Sequence, residues 1–180
     1  MGDLVLRPLR IEDEEQARTA HAELSADGFG FLLALREELG GEAEPWEHYV
    51  ERMAAHARGE QLEGRFVPAT FLVAEVDGEI VGRGSVRHEL NEWLAVWGGH
   101  IGYGVRPAYR RRGHATAILR GCLDLLAGLG VEEALVTCDV DNAASEAVIR
   151  ACGGFPDPEL PLVAAGVDVS AKKRFLVPTA

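Results

Sequence analysis

Between residues 100 and 138 the hydrophobic pattern changes its period twice, and that limits what this chain can fold into. Residues 100–105 read as a strand that stops at a turn, Arg106-Pro107. Over residues 113–129, Ala115, Ile118, Leu119, Cys122, Leu125, Leu126 and Leu129 fall on one face of a helix, which ends at Gly130. Residues 134–138 are apolar enough for a central strand. Ala144, Ala147, Val148 and Ala151 mark another helix ending near Gly153-Gly154. A helix with one apolar stripe, set between two strands, must lie against the sheet those strands build.

Upstream, residues 70–76 and 79–87 flank Asp77-Gly78, a two-residue hairpin signal. Residues 4–7 read as a short first strand before Pro8. Helices are expected over residues 12–24, over 29–39, and after Pro45, where Trp46, Tyr49, Val50, Met53 and Ala57 repeat at helical spacing. The tail offers two weak strands, at residues 162–164 and 174–177. No repeat or linker interrupts the chain, so its 180 residues are expected to form one domain. The sum is an α+β domain around one mixed, mostly antiparallel sheet of about six or seven strands, with helices on both faces.

Charge narrows the partners. The formal net charge is -11, and over residues 12–63 fourteen carboxylates face only four arginines. A negative field repels polyphosphate, so no nucleic-acid partner is expected and a cationic acceptor is the easier one to accommodate. A solvated acidic surface kept for solubility accounts for the same residues. Cys122, Cys138 and Cys152 are too few and too far apart for a disulfide framework or a paired-cysteine metal site. The histidines have no metal-ligand spacing either, so no metal is assigned. No apolar run approaches the ~20 residues of a membrane span, and the start of the chain lacks the form of a signal peptide. A cytoplasmic location is expected.

The chemistry concentrates after the strand at residues 100–105. There Arg110, Arg111, Arg112, Gly113, His114 and Ala115 lead into a helix. A helix start leaves free N–H groups and a partial positive charge, which together bind phosphate. Gly113 lets a phosphate approach the backbone, Ala115 keeps the next turn shallow, and the arginines add charge beside the anion. Neither the dinucleotide nor the P-loop glycine pattern occurs.

This segment resembles the acyl-CoA motif of the GNAT N-acetyltransferases, Gln/Arg-x-x-Gly-x-Gly/Ala after a strand and an x-Pro turn. Arg110, Gly113 and Ala115 meet it, with Val105, Pro107, Tyr109 and Leu119 on its flanks. Arg-His-Glu-Leu-Asn at 87–91, Gly-Gly-His-Ile-Gly-Tyr at 98–103 and Thr-Cys-Asp-Val-Asp-Asn at 137–142 are similar to a subgroup of predicted acetyltransferases. The resemblance covers roughly residues 66–177. It implies a GNAT-like fold and transfer of an acetyl group from acetyl-CoA, as cosubstrate, to an amine of a small molecule or peptide. The alternative it allows is a non-catalytic acyl-CoA sensor or scaffold.

Further roles follow only from the resemblance. Backbone groups of Gly104 and Val105 would pair with the pantetheine arm, where the strand splays from its neighbour. Asn142 and Ser145 would face the pantetheine amides, although Asn142 equally reads as a helix cap. His100 is the candidate base, with Glu89 next and His88 beside it. A strand histidine is also an ordinary core residue. Many relatives carry a tyrosine seven residues after the Asn, where its hydroxyl protonates the leaving thiolate; here that position is Ile149. Oligomeric state stays open between monomer and homodimer.

Overall fold

The computed structural model describes residues 2–38, 40–64, 66–158 and 171–179. Strand β1 (Val5–Pro8) leads through a 3-10 turn to α1 (Glu14–Ser25) and then α2 (Trp46–Ala57). β2 (Ala69–Val76) and β3 (Glu79–Arg87) form the hairpin closed by Asp77-Gly78. A π-helical turn, Leu94–Gly98, precedes β4 (Ile101–Val105), and a second 3-10 turn precedes α3 (His114–Gly128). β5 (Glu133–Asp139), α4 (Ala143–Ala151), β6 (Phe155–Pro156) and β7 (Lys172–Pro178) follow.

The expected α+β composition and seven strands are present, but they form two sheets where the pattern predicts one. The orders are β1-β2-β3-β4 and β5-β7-β6, with every pairing antiparallel. β4 and β5 meet only at their beginnings, where the His100 N–H donates to the Leu135 carbonyl at 2.7 Å. Beyond that contact no backbone hydrogen bond joins them among the described residues. The two strands therefore open as a wedge.

Helices cover both faces of the first sheet. α3 lies close on β3 because Gly82 and Gly84 are under it: a Cβ on Gly84 would stand 2.5 Å from Cys122 Sγ, and one on Gly82 3.1 Å from Ile118 Cδ1. Ile118, Leu119, Cys122 and Leu126 join Val86, Ile101, Val136 and Ile149 in that core. Across the sheet, Ala17, Ala20 and Leu24 of α1 and Trp46, Tyr49 and Met53 of α2 pack with Phe31, Phe71 and Val73.

The helix expected over residues 29–39 does not form. Through residue 38 this stretch is bends and turns, and Ala34 takes a positive φ of 54°. Side chains satisfy its backbone instead. The Tyr49 hydroxyl accepts from Leu33 N–H and donates to Leu33 C=O, His21 Nδ1 accepts from Leu32 N–H, and Arg52 donates to Ala34 C=O. Phe31, Leu32 and Leu35 are apolar enough for a helix, but they are buried from an irregular loop. The strand expected at residues 162–164 lies outside the described residues.

Candidate active site

Alternation along β4 decides which backbone groups face the wedge. Arg87 N–H donates to His100 C=O at 2.8 Å and Arg106 N–H to Val81 C=O at 2.9 Å, which brackets the β3–β4 register. In a regular antiparallel ladder the groups of Gly102 and Gly104 then point into β3, and those of Ile101, Tyr103 and Val105 point out toward β5. So of the two residues expected to offer free backbone groups, Val105 presents its N–H to the wedge and Gly104 does not. The Val105 carbonyl accepts from Arg110 Nε at 3.0 Å.

Beyond β4 the chain turns at Arg106, which is buried. It grips Glu23 of α1 through Nε (2.8 Å) and Nη2 (2.9 Å), and also donates to Ile80 C=O. With this turn fixed, the backbone N–H groups from Arg111 through Thr116 donate to no other described residue. Arg111 and Gly113 have left-handed φ values of 63° and 83°, a setting in which successive N–H groups turn toward one concavity. An added Cβ on Gly113 would meet nothing within 4 Å, so the concavity opens to solvent there. The three arginines differ. Arg110 reaches back to Val105 and to Asp27 (2.7 Å), Arg111 is exposed, and Arg112 lies over the Tyr109 ring and donates to Ala108 C=O. His114 is buried at the first position of α3, with Ala115 half-buried next to it.

Across the wedge, α4 begins at Asn142, whose side chain caps the helix by accepting from Ser145 N–H at 3.0 Å. Ser145 Oγ pairs with the Tyr103 hydroxyl at 2.8 Å, linking β4 to α4. Burial pushes the Tyr103 hydroxyl up to about 12. Ile149 is fully buried in the core.

The opposite face of β3 and β4 carries the second half of the site. Arg83, Ser85 and Arg87 share it with His100, Gly102 and Gly104. The room left by the two glycines is taken up. A Cβ on Gly104 would collide with the Phe29 ring at 2.4 Å, and one on Gly102 would stand 3.5 Å from Arg83 Nη1 and 3.7 Å from Arg87 Nη1. Beside this face lies a cavity of about 250 Å³, lined by Leu33, Met53, His56, Phe71, Ser85, Arg87, Asn91 and Leu94, with Phe66 and Trp93 at its rim. Among the described residues no carboxylate lines it. Several of the fourteen carboxylates of residues 12–63 are ion-paired, among them Glu23 with Arg106, Asp27 with Arg110, Glu44 with Arg52, and Glu51 and Glu60 with Arg58.

His100 stands at the edge of this face with its ring fixed. Its Nδ1 accepts from Leu135 N–H at 2.9 Å, so the neutral ring carries its proton on Nε2. Burial lowers its pKa, and Arg87 adds to that. Glu89 is exposed beyond the end of β3 and does not line the cavity. His88 bonds to Thr70 through Nε2 at 2.8 Å.

His56, His88 and His100 all have pKa values pushed below the ordinary histidine value, in each case first by burial. Such a group binds its proton more readily in the unfolded chain. The stability it gives is complete above the unfolded pKa of ~6.5 and is lost as pH falls from that value through the lower folded one. The melting temperature should therefore fall between pH 7.5 and 5.5, and His56→Gln should reduce the slope. A flat profile over that range would contradict the assignment.

Sequence reasoning gave no site role to Arg83, to Arg106, which it placed only in the turn, or to Arg87, which it quoted only as the first residue of the 87–91 motif. A signal was present for two of them. Along β3, Gly82, Gly84 and Val86 alternate with Arg83, Ser85 and Arg87, so a strand this apolar on one face sets two arginines on the other.

Comparison with known proteins places this geometry. The model of the acetyltransferase (GNAT) family matches residues 31–154. An L-2,4-diaminobutyric acid acetyltransferase of Nocardia farcinica (strain IFM 10152) is 33% identical over 150 residues, covering 79% of this chain and 76% of that protein. Among solved structures, Mycobacterium smegmatis RimJ in complex with CoA-disulfide superposes with a TM-score of 0.65 at 23% identity, covering 98% of this chain and 81% of that one. YncA of Salmonella typhimurium, a putative acetyltransferase with its cofactor acetyl-CoA, gives 0.62 at 15% identity, covering 98% and 94%.

Proposed function

Because the chain belongs to the acetyltransferase (GNAT) family, we propose that this acetyl-CoA-dependent N-acetyltransferase modifies a primary amine of a small molecule held in the cavity beside β3. The observation that carries the reading is the run of unpartnered N–H groups from Arg111 to Thr116, continuous with the open edge of β4 at Val105. The pyrophosphate of acetyl-CoA sits on Arg111, Arg112, Gly113, His114 and Ala115, at a helix start that favours an anion. Arg110 braces the turn from behind. The pantetheine arm runs into the wedge between β4 and β5, past Asn142 and Ser145. The Val105 N–H polarises the thioester carbonyl as negative charge develops on it.

The amine attacks directly, with no covalent enzyme intermediate. A CoA thiolate, with an ordinary thiol pKa of ~8.5, takes its proton from solvent, since Ile149 cannot supply one. The fixed tautomer of His100 argues against it as the base, because the nitrogen that is not bonded to Leu135 already holds a proton. His100 ties β4 to β5, and the ammonium proton leaves through water. His100→Ala should then lower the melting temperature by roughly 3–10 °C, as expected for an unsatisfied buried N–H costing about 1–3 kcal/mol. The folded fraction should keep kcat within about threefold and an unchanged acidic limb, whereas loss of a base costs 10²–10⁴. A fall in kcat of that size with the limb removed would restore His100 as base. An unchanged profile in Glu89→Gln would exclude Glu89.

The acceptor class follows from the relative that acts, by its name, on L-2,4-diaminobutyric acid. A small diamine or diamino acid is the first substrate to test. The free cysteines and acidic surface fit a cytoplasmic enzyme. The buried Ile149 also favours a second reading, a domain that binds acyl-CoA without turning it over. Release of CoA from acetyl-CoA over a panel of diamines, amino acids, polyamines and peptide N-termini separates the two. Turnover with one amine well above the rest supports the enzyme, and tight binding with no turnover across the panel supports the rival.

A further inference from the structure

The well-covered arginines of this fold follow one rule, and two of them break it. Arg7 pairs with Asp13, Arg52 with Glu44, Arg106 with Glu23 and Arg174 with Asp157. Arg83 and Arg87 have no carboxylate among the described residues. Arg83, only 4% exposed, donates to Gly102 C=O (3.1 Å) and Gly30 C=O (2.8 Å) and lies over the Phe29 ring, while its Nε has no partner. Arg87 donates to Gly98 C=O and Gly99 C=O at 3.2 and 3.3 Å. Both guanidinium groups reach within 4 Å of the same point above Gly102.

Two like charges held this close out of water cost stability unless something offsets them. Carbonyl oxygens and, for Arg83, the Phe29 ring offset them in part, but among the described residues no carboxylate does. The titratable groups on their side of the sheet are His100 and His56, whose pKa values burial lowers, and Tyr49, whose hydroxyl burial raises to about 12; Cys122, raised likewise, lies across the sheet under α3. Burial and the charge of Arg87 pull Arg83 down to about 9, so both arginines remain charged at neutral pH. Arg87 also lines the cavity, next to Ser85 and Asn91.

We propose that the acetyl acceptor is an amine that also carries a carboxylate, an amino acid bound with its carboxylate on Arg87 and Ser85, while the charge of Arg83 behind them strengthens the hold. This rests on the reading of the cavity as the acceptor site. A planar carboxylate matches the fork of a guanidinium, and charge-assisted hydrogen bonds are the strong ones. The carboxylate end is then anchored against the sheet, which leaves the amine at the other end of the molecule free to reach the wedge. Net charge is not what this site selects: a diamino acid is still a cation, but one recognised by its anionic end.

The test compares acceptors that differ only in the carboxylate: 2,4-diaminobutyrate with 1,3-diaminopropane, ornithine with putrescine, lysine with cadaverine. Within the best pair, kcat/KM should favour the amino acid by about 10- to 100-fold, the span that charge-assisted hydrogen bonds provide. Arg87→Gln should bring that ratio to within about threefold, and Arg87→Lys should recover part of it. The CoA-induced rise in melting temperature shows that the variants are folded. A wild-type ratio near one, or a preference for the diamines, overturns the proposal and leaves the acetyltransferase reading standing. If no amine is turned over, calorimetry on the CoA-bound protein decides: binding of the amino acid but not its diamine upholds the carboxylate site while the small-amine reading fails. Equal or absent binding of both sinks the site.

Discussion

Gly113→Val should abolish most of the rise in melting temperature that coenzyme A produces in the parent protein. A ligand that binds only the folded state at 100 times its Kd stabilises by about 2.7 kcal/mol, or roughly 5–10 °C for a domain of this size. That rise depends on a pyrophosphate reaching the N–H groups from Arg111 to Thr116. At Gly113 the φ is 83° and the space where a Cβ would point is open. Valine therefore meets no neighbour in the free protein, yet it places a branched side chain in the mouth of the anion site. It also has to hold a left-handed backbone, which costs about 1–2 kcal/mol. The free variant should melt a few degrees below the parent and respond little to CoA. Gly113→Ala should be intermediate in both respects. A CoA response in Gly113→Val equal to that of the parent would move the pyrophosphate elsewhere.

Much of this site can be read from local pattern. The Arg106-Pro107 turn, the run from Arg110 to Ala115 and the stripe of α3 all lie between residues 106 and 129, and each follows from its neighbours along the chain. What could not be read depends on partners far away in sequence. The Glu23 that fixes Arg106 is 83 residues distant, and the Tyr49 hydroxyl that replaces a helical turn at Leu33 is 16 away. Residues 29–39 have helical composition, so only those side-chain bonds explain the loop. Asn142 is a case where one residue suits two roles; its Oδ1 is committed to the Ser145 N–H, which makes it a cap whatever else its amide touches. The unpaired arginines were legible as an alternation along β3. That they lack counter-charges among the described residues was not, because pairing across a fold leaves no periodic trace.

The wedge between β4 and β5 depends on Gly99, and Gly99→Ala should be the most destabilising single-methyl change near the site. Gly99 has φ 61° and ψ -171°, a region that residues with a Cβ essentially do not enter, at about 1–3 kcal/mol for the strain alone. Its Cβ would also stand 2.4 Å from the Leu135 carbonyl oxygen and 3.4 Å from the Val136 Cα. Both are backbone atoms of β5, so no side chain can rotate to make room. The strands would have to part where His100 N–H now holds the Leu135 carbonyl at 2.7 Å. Adding a steric term to the strain gives a loss of about 3–5 kcal/mol, near the upper end of what single substitutions do, or roughly 6–20 °C in melting temperature. Gly130 supplies the control. It follows α3 with a φ of 81° and nothing within 4 Å of where its Cβ would point. Gly130→Ala should therefore show the backbone strain without the collision and lose only about 1–2 kcal/mol. The difference between the two variants, read from denaturant midpoints at equal m-value, measures how tightly the strands are held at the apex of the wedge. Equal losses would mean that β5 yields freely at Leu135, and the separation of the sheets would then have to be set elsewhere.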